Sequence, residues 1–186
     1  MMNPSASKGV AVTDKLHLYE KAQSLMFGGS DTVGNASMLG IYHALENPES
    51  VRRLKAERLE VWPKLDSPPR FEALEKLPYL TAVIKESLCT GRGDVAIGLP
   101  RVVPAGAAII CRREIPQNTI VSIAASFVHY LEEIFDSPAS FNPDRWLRED
   151  GAALEKWLIA FSKGPRTCLG QKLVMKSISF ASSSRD

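Results

Sequence analysis

The ten residues from Phe161 to Gly170, FSKGPRTCLG, constrain the fold more than any other part of this chain. They place one cysteine, Cys168, in a loop bracketed by Gly164 and Gly170, and an apolar segment with helical character follows. Glycine lets the backbone turn tightly and approach a flat ligand without a side chain in the way. Backbone N–H groups of such a loop, beside a helix N-terminus, can stabilise a thiolate. The segment therefore predicts a loop that presents one sulfur atom to a bound group.

Two other side chains of this loop fit the recognition of haem. Arg166 lies two residues before Cys168 and can pair with a propionate through its planar guanidinium. Phe161 would give the sulfur a dry, aromatic cover. Cysteine thiolate is one of the ligands that proteins use for haem iron, where it donates electron density and favours O–O cleavage. The loop therefore predicts Cys168 as an iron ligand.

Three other roles of Cys168 are possible in principle. It could be a buried structural cysteine, because free cysteine usually behaves as a small hydrophobe. A phosphate-binding loop requires G-x-x-x-x-G-K-[ST], but Gly170 falls one residue late and Gln171 follows it. A nucleophilic cysteine needs a positioned base. No histidine lies near Cys168 in the sequence, although one could lie close to it in space.

The complete pattern F-x-x-G-x-R-x-C-x-G resembles the haem-binding loop of the cytochrome P450 monooxygenases. Further segments resemble that family in the family's own order over residues 20–180, and the chain is similar in style to fungal microsomal members. The resemblance implies a mainly α fold with a small β-sheet. It would correspond to the C-terminal part of the P450 fold, from the central distal helix through the haem-binding loop to the final helix. Residues 1–12 are expected to form a disordered tail, and residues 13–186 a partial P450 domain truncated at both ends.

A Gly-Gly step, Gly28-Gly29, lies within the first predicted helix and precedes Asp31 and Thr32. Two glycines inside a helix cost roughly 1 kcal/mol each relative to alanine. The step is therefore a packing notch or a place where the helix loosens. It resembles the oxygen-binding kink of the family's distal helix, A/G-G-x-D/E-T. The resemblance implies that the glycines leave room for dioxygen over the iron and that Asp31 and Thr32 relay protons to it.

The segment from Pro78 to Leu88 resembles the family helix that carries E-x-x-R, with Glu86 as the acid. The partner position holds Cys89 instead of arginine. In the family, that arginine and a second one, here matched by Arg145 in FNPDRW, hold the glutamate in a buried network. Removing one member of such a network typically costs roughly 3–5 kcal/mol, because a charge is left unpaired. Arg92 is six residues from Glu86 and is a poor substitute.

The segment LPRVVP, residues 99–104, resembles the strand that passes beside the haem. The resemblance implies that Arg101 contacts a propionate and that residues 96–99 face the substrate. Three lysines around the Cys168 loop could form a basic face: Lys163, Lys172 and Lys176. In this family, such a face receives an NADPH-dependent flavoprotein reductase, and complementary charge would speed that encounter.

Periodicity and turn signals predict the secondary structure. We expect helices from Thr13-Asp14 to about Glu46, from Asn47-Pro48 to about Val61, and from Pro78 to about Leu88. A short helical turn is expected at residues 70–76. Short β-branched runs near residues 101–103, 108–110 and 119–121 predict a small sheet. A final helix is expected to begin near Cys168.

Composition limits the other possibilities. The net charge of +2 is too small to indicate nucleic-acid binding. The 3 cysteines and 3 histidines are scattered, which argues against a disulfide framework and a zinc site. No apolar run is long enough to span a bilayer, and the N-terminus has no signal-peptide core. Family members are commonly held in the endoplasmic reticulum membrane, but the sequence contains no such anchor, so its location stays open.

Two functional hypotheses follow. The first is a haem-thiolate monooxygenase that binds haem b through Cys168 and inserts one oxygen atom into a small apolar substrate. The second is a catalytically inactive remnant that carries the haem loop without a stable haem pocket. The motifs favour the first, and Cys89 together with the absent segments of the family fold favours the second.

Overall fold

The computed structural model describes residues 15–64, 66, 69–91 and 98–183, with side chains to residue 178. Four sequence predictions fall outside these residues: the disorder of residues 1–12, the helix cap at Thr13-Asp14, the position of Arg92, and the substrate-facing role of residues 96 and 97.

The first helix, α1 (Lys15–Glu46), runs without interruption through the Gly-Gly step. The loosening predicted there is therefore absent. The Thr32 hydroxyl donates to the carbonyl oxygen of Gly28 at 2.8 Å, and the Ser30 hydroxyl donates to that of Met26 at 2.7 Å. Both hydroxyls bond back to the carbonyl four residues earlier, so they are accommodated by a regular helix.

Three helices follow: α2 (Pro48–Val61), α3 (Phe71–Leu74) and α4 (Pro78–Thr90). Asn47 caps α2 as predicted, since its side-chain oxygen accepts from the N–H of Glu49 at 3.0 Å. The first turn of α4 is capped from a distance. The Glu57 carboxylate accepts from the N–H groups of Tyr79 and Leu80 at 2.8 and 3.0 Å. This contact fixes α2 against the start of α4.

The strands form two antiparallel pairs rather than one sheet. Strand β1 (Arg101–Val102) pairs with β4 (Ile120–Val121), and β2 (Ala108–Ile110) pairs with β3 (Arg113–Ile115). Strand β3 was not predicted, because its sequence is charged rather than β-branched. The turn before it also lacks a glycine signal: Cys111 and Arg112 adopt φ values of 50° and 63°, in the left-handed region.

The C-terminal third is mostly irregular. It contains two short helices, α5 (Ala125–His129) and α6 (Gly151–Leu154), and the 3₁₀ turns Pro143–Trp146, Glu155–Trp157 and Gly164–Arg166. The last helix, α7 (Gln171–Ser183), begins three residues after Cys168. No helix among the described residues is long and apolar enough to cross a membrane.

Helix α4 lies at the centre of the packing. One side contributes to a core shared with α1 and α7, whose buried members include Ala36, Leu80, Ile84 and Ile178. The other side contributes Ala82 and Cys89 to a second cluster with Phe135 and Trp146. The fold is therefore mainly α with small antiparallel sheets, and α4 separates the Cys168 region from the irregular segment around residues 130–146.

Candidate functional site

The Cys168 loop joins a 3₁₀ turn to α7. The N–H of Cys168 donates to the carbonyl oxygen of Phe161 at 2.9 Å and closes the loop. Gly164 adopts a φ of 73°, which a side chain would strain, so glycine is required there by the turn. A Cβ at Gly170 would lie 3.7 Å from Cys168 Sγ, which is an ordinary contact. Cys168 itself is exposed, so its sulfur is available to a ligand.

One cavity, of about 150 Å³, lies between α1 and the Cys168 loop. Gly28 and Thr32 line it from α1, and Phe161 and Cys168 line it from the loop. Space is open at Gly28, where an added Cβ would meet nothing within 4 Å. The remaining lining is largely apolar and includes Ala36, Leu39, Leu88, Ala160 and Val174. The fold thus brings Gly28 of the Gly-Gly step and Cys168 to the wall of one partly open cavity.

A second cavity, of about 440 Å³, adjoins the same loop. It shares Ala160, Phe161 and Cys168 with the first cavity, and both Arg101 and Arg166 line it. We refer to the two neighbouring cavities together as the cleft beside the sulfur, of which the α1 part is largely apolar and the β1 part carries the two arginines. The folded chain collects these residues from segments that are far apart in the sequence.

Not every predicted site residue reaches this cleft. Gly29 and Asp31 line neither cavity, and Asp31 is exposed. Gly164 instead lines a groove of about 1070 Å³ on the opposite face of the loop. Three lysines predicted as a basic face line that groove, but three glutamates line it as well: Glu72, Glu75 and Glu155. Its charge is therefore mixed.

Glu86 lies at the centre of a buried polar network on the far side of α4. Its side chain is 0% exposed. One carboxylate oxygen accepts from Arg145 Nε at 3.1 Å and from Trp146 Nε1 at 2.8 Å. The other accepts from the N–H of Asn142 at 2.9 Å. Burial raises the pKa of Glu86, and hydrogen bonds from Asn142, Arg145 and Trp146 act in the opposite direction.

The rest of the Arg145 guanidinium is also paired. Its two terminal nitrogens donate to backbone carbonyl oxygens of Asp136, Ser137 and Ser140. The network therefore contains one carboxylate and one guanidinium, each with several partners. The unpaired charge expected from the replacement of arginine by Cys89 is not present, because Glu86 and Arg145 balance each other one to one.

Two residues of this region carried no signal in the sequence. His129 is buried, and its Nε2 accepts from the N–H of Ile159 at 3.1 Å, just before the Cys168 loop. Burial lowers the pKa of His129 to about 4. Trp146 stands beside Arg145 in FNPDRW, but nothing in the sequence indicates that its indole donates to Glu86.

Comparison with known proteins identifies the family of this chain. The family model described as "Cytochrome P450" matches residues 2–182. The chain is 41% identical over 158 residues to cytochrome P450 monooxygenase flvC of Aspergillus flavus, covering 84% of this chain and 29% of that protein. It is 40% identical over 176 residues to cytochrome P450 monooxygenase macH of Penicillium terrestre, covering 93% of this chain and 34% of that protein.

A third relative is more distant. Cytochrome P450 monooxygenase sol6 of Alternaria solani is 33% identical over 174 residues, covering 94% of this chain and 38% of that protein. The chain spans roughly a third of the length of these fungal relatives. The mainly helical fold with small antiparallel sheets is consistent with the family that this match and these relatives define. The chain belongs to the cytochrome P450 family.

Proposed function

We propose that this chain forms the haem-binding part of a P450 monooxygenase, with Cys168 as the axial ligand of haem b. The observation that carries the proposal is the cleft beside the Cys168 sulfur, which Gly28 and Thr32 line from one side and Arg101 and Arg166 from the other. The proposed domain covers residues 13–186.

The residues around the cleft fit haem chemically. Cys168 offers a soft sulfur donor at an exposed position, next to the aromatic ring of Phe161. Apolar side chains of Leu39, Leu88 and Val174 suit the porphyrin plane. Arginines suit the propionates, because a guanidinium binds a carboxylate in a fork. Bound haem would supply the iron on which dioxygen is activated.

The α1 side of the cleft is assigned to oxygen handling. Gly28 would keep the cavity beside Cys168 open for dioxygen, since an added Cβ there meets nothing within 4 Å, and the adjacent Gly29 is proposed to share this role although it lines neither cavity. Thr32 would hold a proton-relaying hydroxyl at the cavity wall, and Asp31 would exchange protons with solvent from its exposed position. Glu86 and Arg145 would act at a distance by fixing α4.

The groove opposite the cleft is the proposed docking place for an electron donor. A flavoprotein reductase that takes electrons from NADPH would contact Lys163, Lys172 and Lys176. The substrate is proposed to be a small apolar molecule that enters beside Leu99 and Ile123, which line the larger cavity.

A second candidate is a chain that carries the haem loop but binds no haem stably. The observation in its favour is the open setting of the ligand: Cys168 is exposed, and the neighbouring Leu169 is fully exposed. With its iron ligand so weakly enclosed, the chain would readily lose haem to solvent.

The two candidates differ in the carbon monoxide difference spectrum of the reduced, haem-supplemented protein. The monooxygenase proposal expects a red-shifted Soret band typical of a thiolate-ligated carbonyl complex. Cys168→Ala should abolish that band, whereas the control Cys111→Ala, at an exposed hairpin turn, should retain it. A band that persists in Cys168→Ala would refute the ligand assignment. A wild-type protein without the band would support the second candidate.

A further inference from the structure

Helix α4 places Cys89 one turn after Glu86, at the position where the E-x-x-R pattern has its arginine. Cys89 is buried and packs with Ala82, Phe135 and Trp146, all apolar groups. Burial raises the pKa of the Cys89 thiol to about 12, so the side chain stays neutral. Position 89 therefore belongs to an apolar cluster and not to the charged network of Glu86 and Arg145.

Both oxygens of Glu86 nevertheless accept hydrogen bonds. Three N–H groups reach its two oxygens: the backbone of Asn142, Arg145 Nε, and the indole of Trp146. Hydrogen bonds to an ionised acceptor are stronger than neutral ones. The indole is the shortest of the three contacts, at 2.8 Å, and it shares its acceptor oxygen with Arg145.

We propose that Trp146 is the third member of the Glu86 network in this chain and takes the place that the arginine of E-x-x-R would fill. It acts as a positioning residue, through Glu86, on α4, whose Leu88 lines the cavity beside Cys168. Because the Trp146 indole is neutral, the network contains one negative charge on Glu86 and one positive charge on Arg145. The inference rests on protein contacts alone and does not require haem to be bound.

In this arrangement, restoring the arginine at position 89 brings no benefit. Cys89→Arg would place a second cation among Ala82, Phe135 and Trp146, beside a carboxylate that already accepts three hydrogen bonds and is paired with Arg145. A buried charge without a free partner is strongly unfavourable. Cys89→Arg should therefore weaken the fold and should not raise haem occupancy.

The chain offers a matched control for the indole N–H. Trp62 and Trp146 are each 8% exposed, but among the described residues the Trp62 indole has no hydrogen-bond partner. Trp146→Phe and Trp62→Phe both replace a buried indole by a smaller ring. Only Trp146→Phe also removes a hydrogen bond to the Glu86 carboxylate. We expect Trp146→Phe to lower the urea midpoint clearly more than Trp62→Phe does. Equal losses would overturn the proposal.

Rescue tests the specific role of Trp146. In the Trp146→Phe background, one carboxylate oxygen of Glu86 has lost a donor, and Cys89→Arg supplies new ones. The double variant should therefore have a higher urea midpoint than Trp146→Phe alone. In the wild-type background, the same substitution should lower the midpoint, while Cys89→Ala should change it little. A Cys89→Arg variant that is more stable than the wild type would refute the proposal.

The unmodified protein gives a measurement that does not depend on variants folding. An indole N–H bonded to a buried carboxylate should exchange slowly with solvent and resonate downfield in a heteronuclear NMR spectrum. The Trp146 signal should show both properties, in contrast to that of the partly exposed Trp157. An indole signal of Trp146 that exchanges as fast as that of Trp157 would show that the bond to Glu86 does not form.

Discussion

A single buried histidine supports the segment that leads into the Cys168 loop. The His129 ring is 1% exposed, stands edge-on to Phe135 at a centroid distance of 6.0 Å, and accepts from the backbone of Ile159. Because Nε2 accepts this bond, the ring must stay neutral to keep it. His129 therefore connects the protonation state of one side chain to the position of the loop.

We expect this histidine to make the fold sensitive to acid. Its pKa falls from 6.5 to about 4 on folding, so between these values the unfolded chain binds a proton that the folded chain does not. The stability it contributes is complete above pH 6.5 and is lost as the pH falls toward 4. The difference of about 2.5 pKa units amounts to about 3 kcal/mol.

Urea unfolding as a function of pH, compared between the wild type and His129→Gln, isolates this contribution. The difference in unfolding free energy between the two proteins should shrink as the pH falls from 6.5 to 4. Burial raises the pKa of Glu86, so its contribution changes in the opposite direction, but it is common to both proteins. Parallel pH profiles for the two proteins would contradict the prediction.

At the scale of single residues, the sequence allows a prediction where a residue belongs to a pattern. Cys168 is predicted to be an iron ligand from its spacing to two glycines and an arginine, and this role stays a prediction. His129 is isolated in the sequence, and only the three-dimensional path of the chain brings it to Ile159. The replacement at Cys89 is visible in the sequence, but the sequence does not show that the Trp146 indole donates to Glu86.

Among the elements, the contact between α1 and α4 depends on small residues. The buried residues of α1 are Ala36, Gly40 and Ala44, which repeat every four positions and form one narrow stripe. At Gly40 the two helices approach so closely that a Cβ would lie 2.4 Å from Ser87 Oγ. That hydroxyl is buried and donates to the carbonyl oxygen of Val83 at 2.7 Å. It cannot move without breaking this bond.

Gly40→Ala should therefore destabilise the protein, although alanine favours helices. Overpacking of this kind costs about 1–3 kcal/mol. The control is Gly34→Ala, where nothing lies within 4 Å and the helix should gain about 1 kcal/mol. Urea unfolding should show a lower free energy of unfolding for Gly40→Ala and a higher one for Gly34→Ala than for the wild type. The combination of Gly40→Ala with Ser87→Ala should restore stability, and no recovery would argue against this contact.

The order and bounds of the long helices were largely accessible from the sequence. Asn47-Pro48 and Pro78 are strong start signals, and α2 and α4 begin there. Two other features were not accessible. Strand β3 follows a turn without glycine. The cap of α4 comes from Glu57, which accepts a hydrogen bond from the N–H of Tyr79, 22 residues later in the chain. Contacts between distant segments leave no local pattern.

For the whole molecule, the outstanding feature is the exposed apolar surface of α1. Large side chains cover this helix on the sides that do not face α4 and α7, and Leu25 is 77% exposed. Others on the same helix are exposed by more than half: Leu16, Leu18, Tyr19, Met26, Phe27, Met38, Tyr42 and Leu45. Contiguous patches of this kind are typical of surfaces that bind other molecules or associate.

We expect the chain alone in solution to self-associate through α1. Light scattering after size-exclusion chromatography should show species larger than a monomer. The double substitution Leu25→Lys and Leu45→Lys should shift the distribution toward monomer, because both residues are exposed and neither lines the cavities beside Cys168. Ile109→Lys, at an 81% exposed residue of β2, should leave association unchanged. A monodisperse monomeric wild type would contradict this prediction.

The narrow stripe at the end of α1 also has a mechanical consequence. If the helix pivots at Ala36, Gly28 lies about 12 Å and Lys15 about 32 Å along the axis. A tilt of about 5° at the pivot would move Gly28 by about 1 Å and Lys15 by about 3 Å. Gly28 lines the cavity beside Cys168, so such a tilt of α1 would change the width of that cavity. A molecule bound to the exposed N-terminal part of α1 would therefore act on the space beside the sulfur.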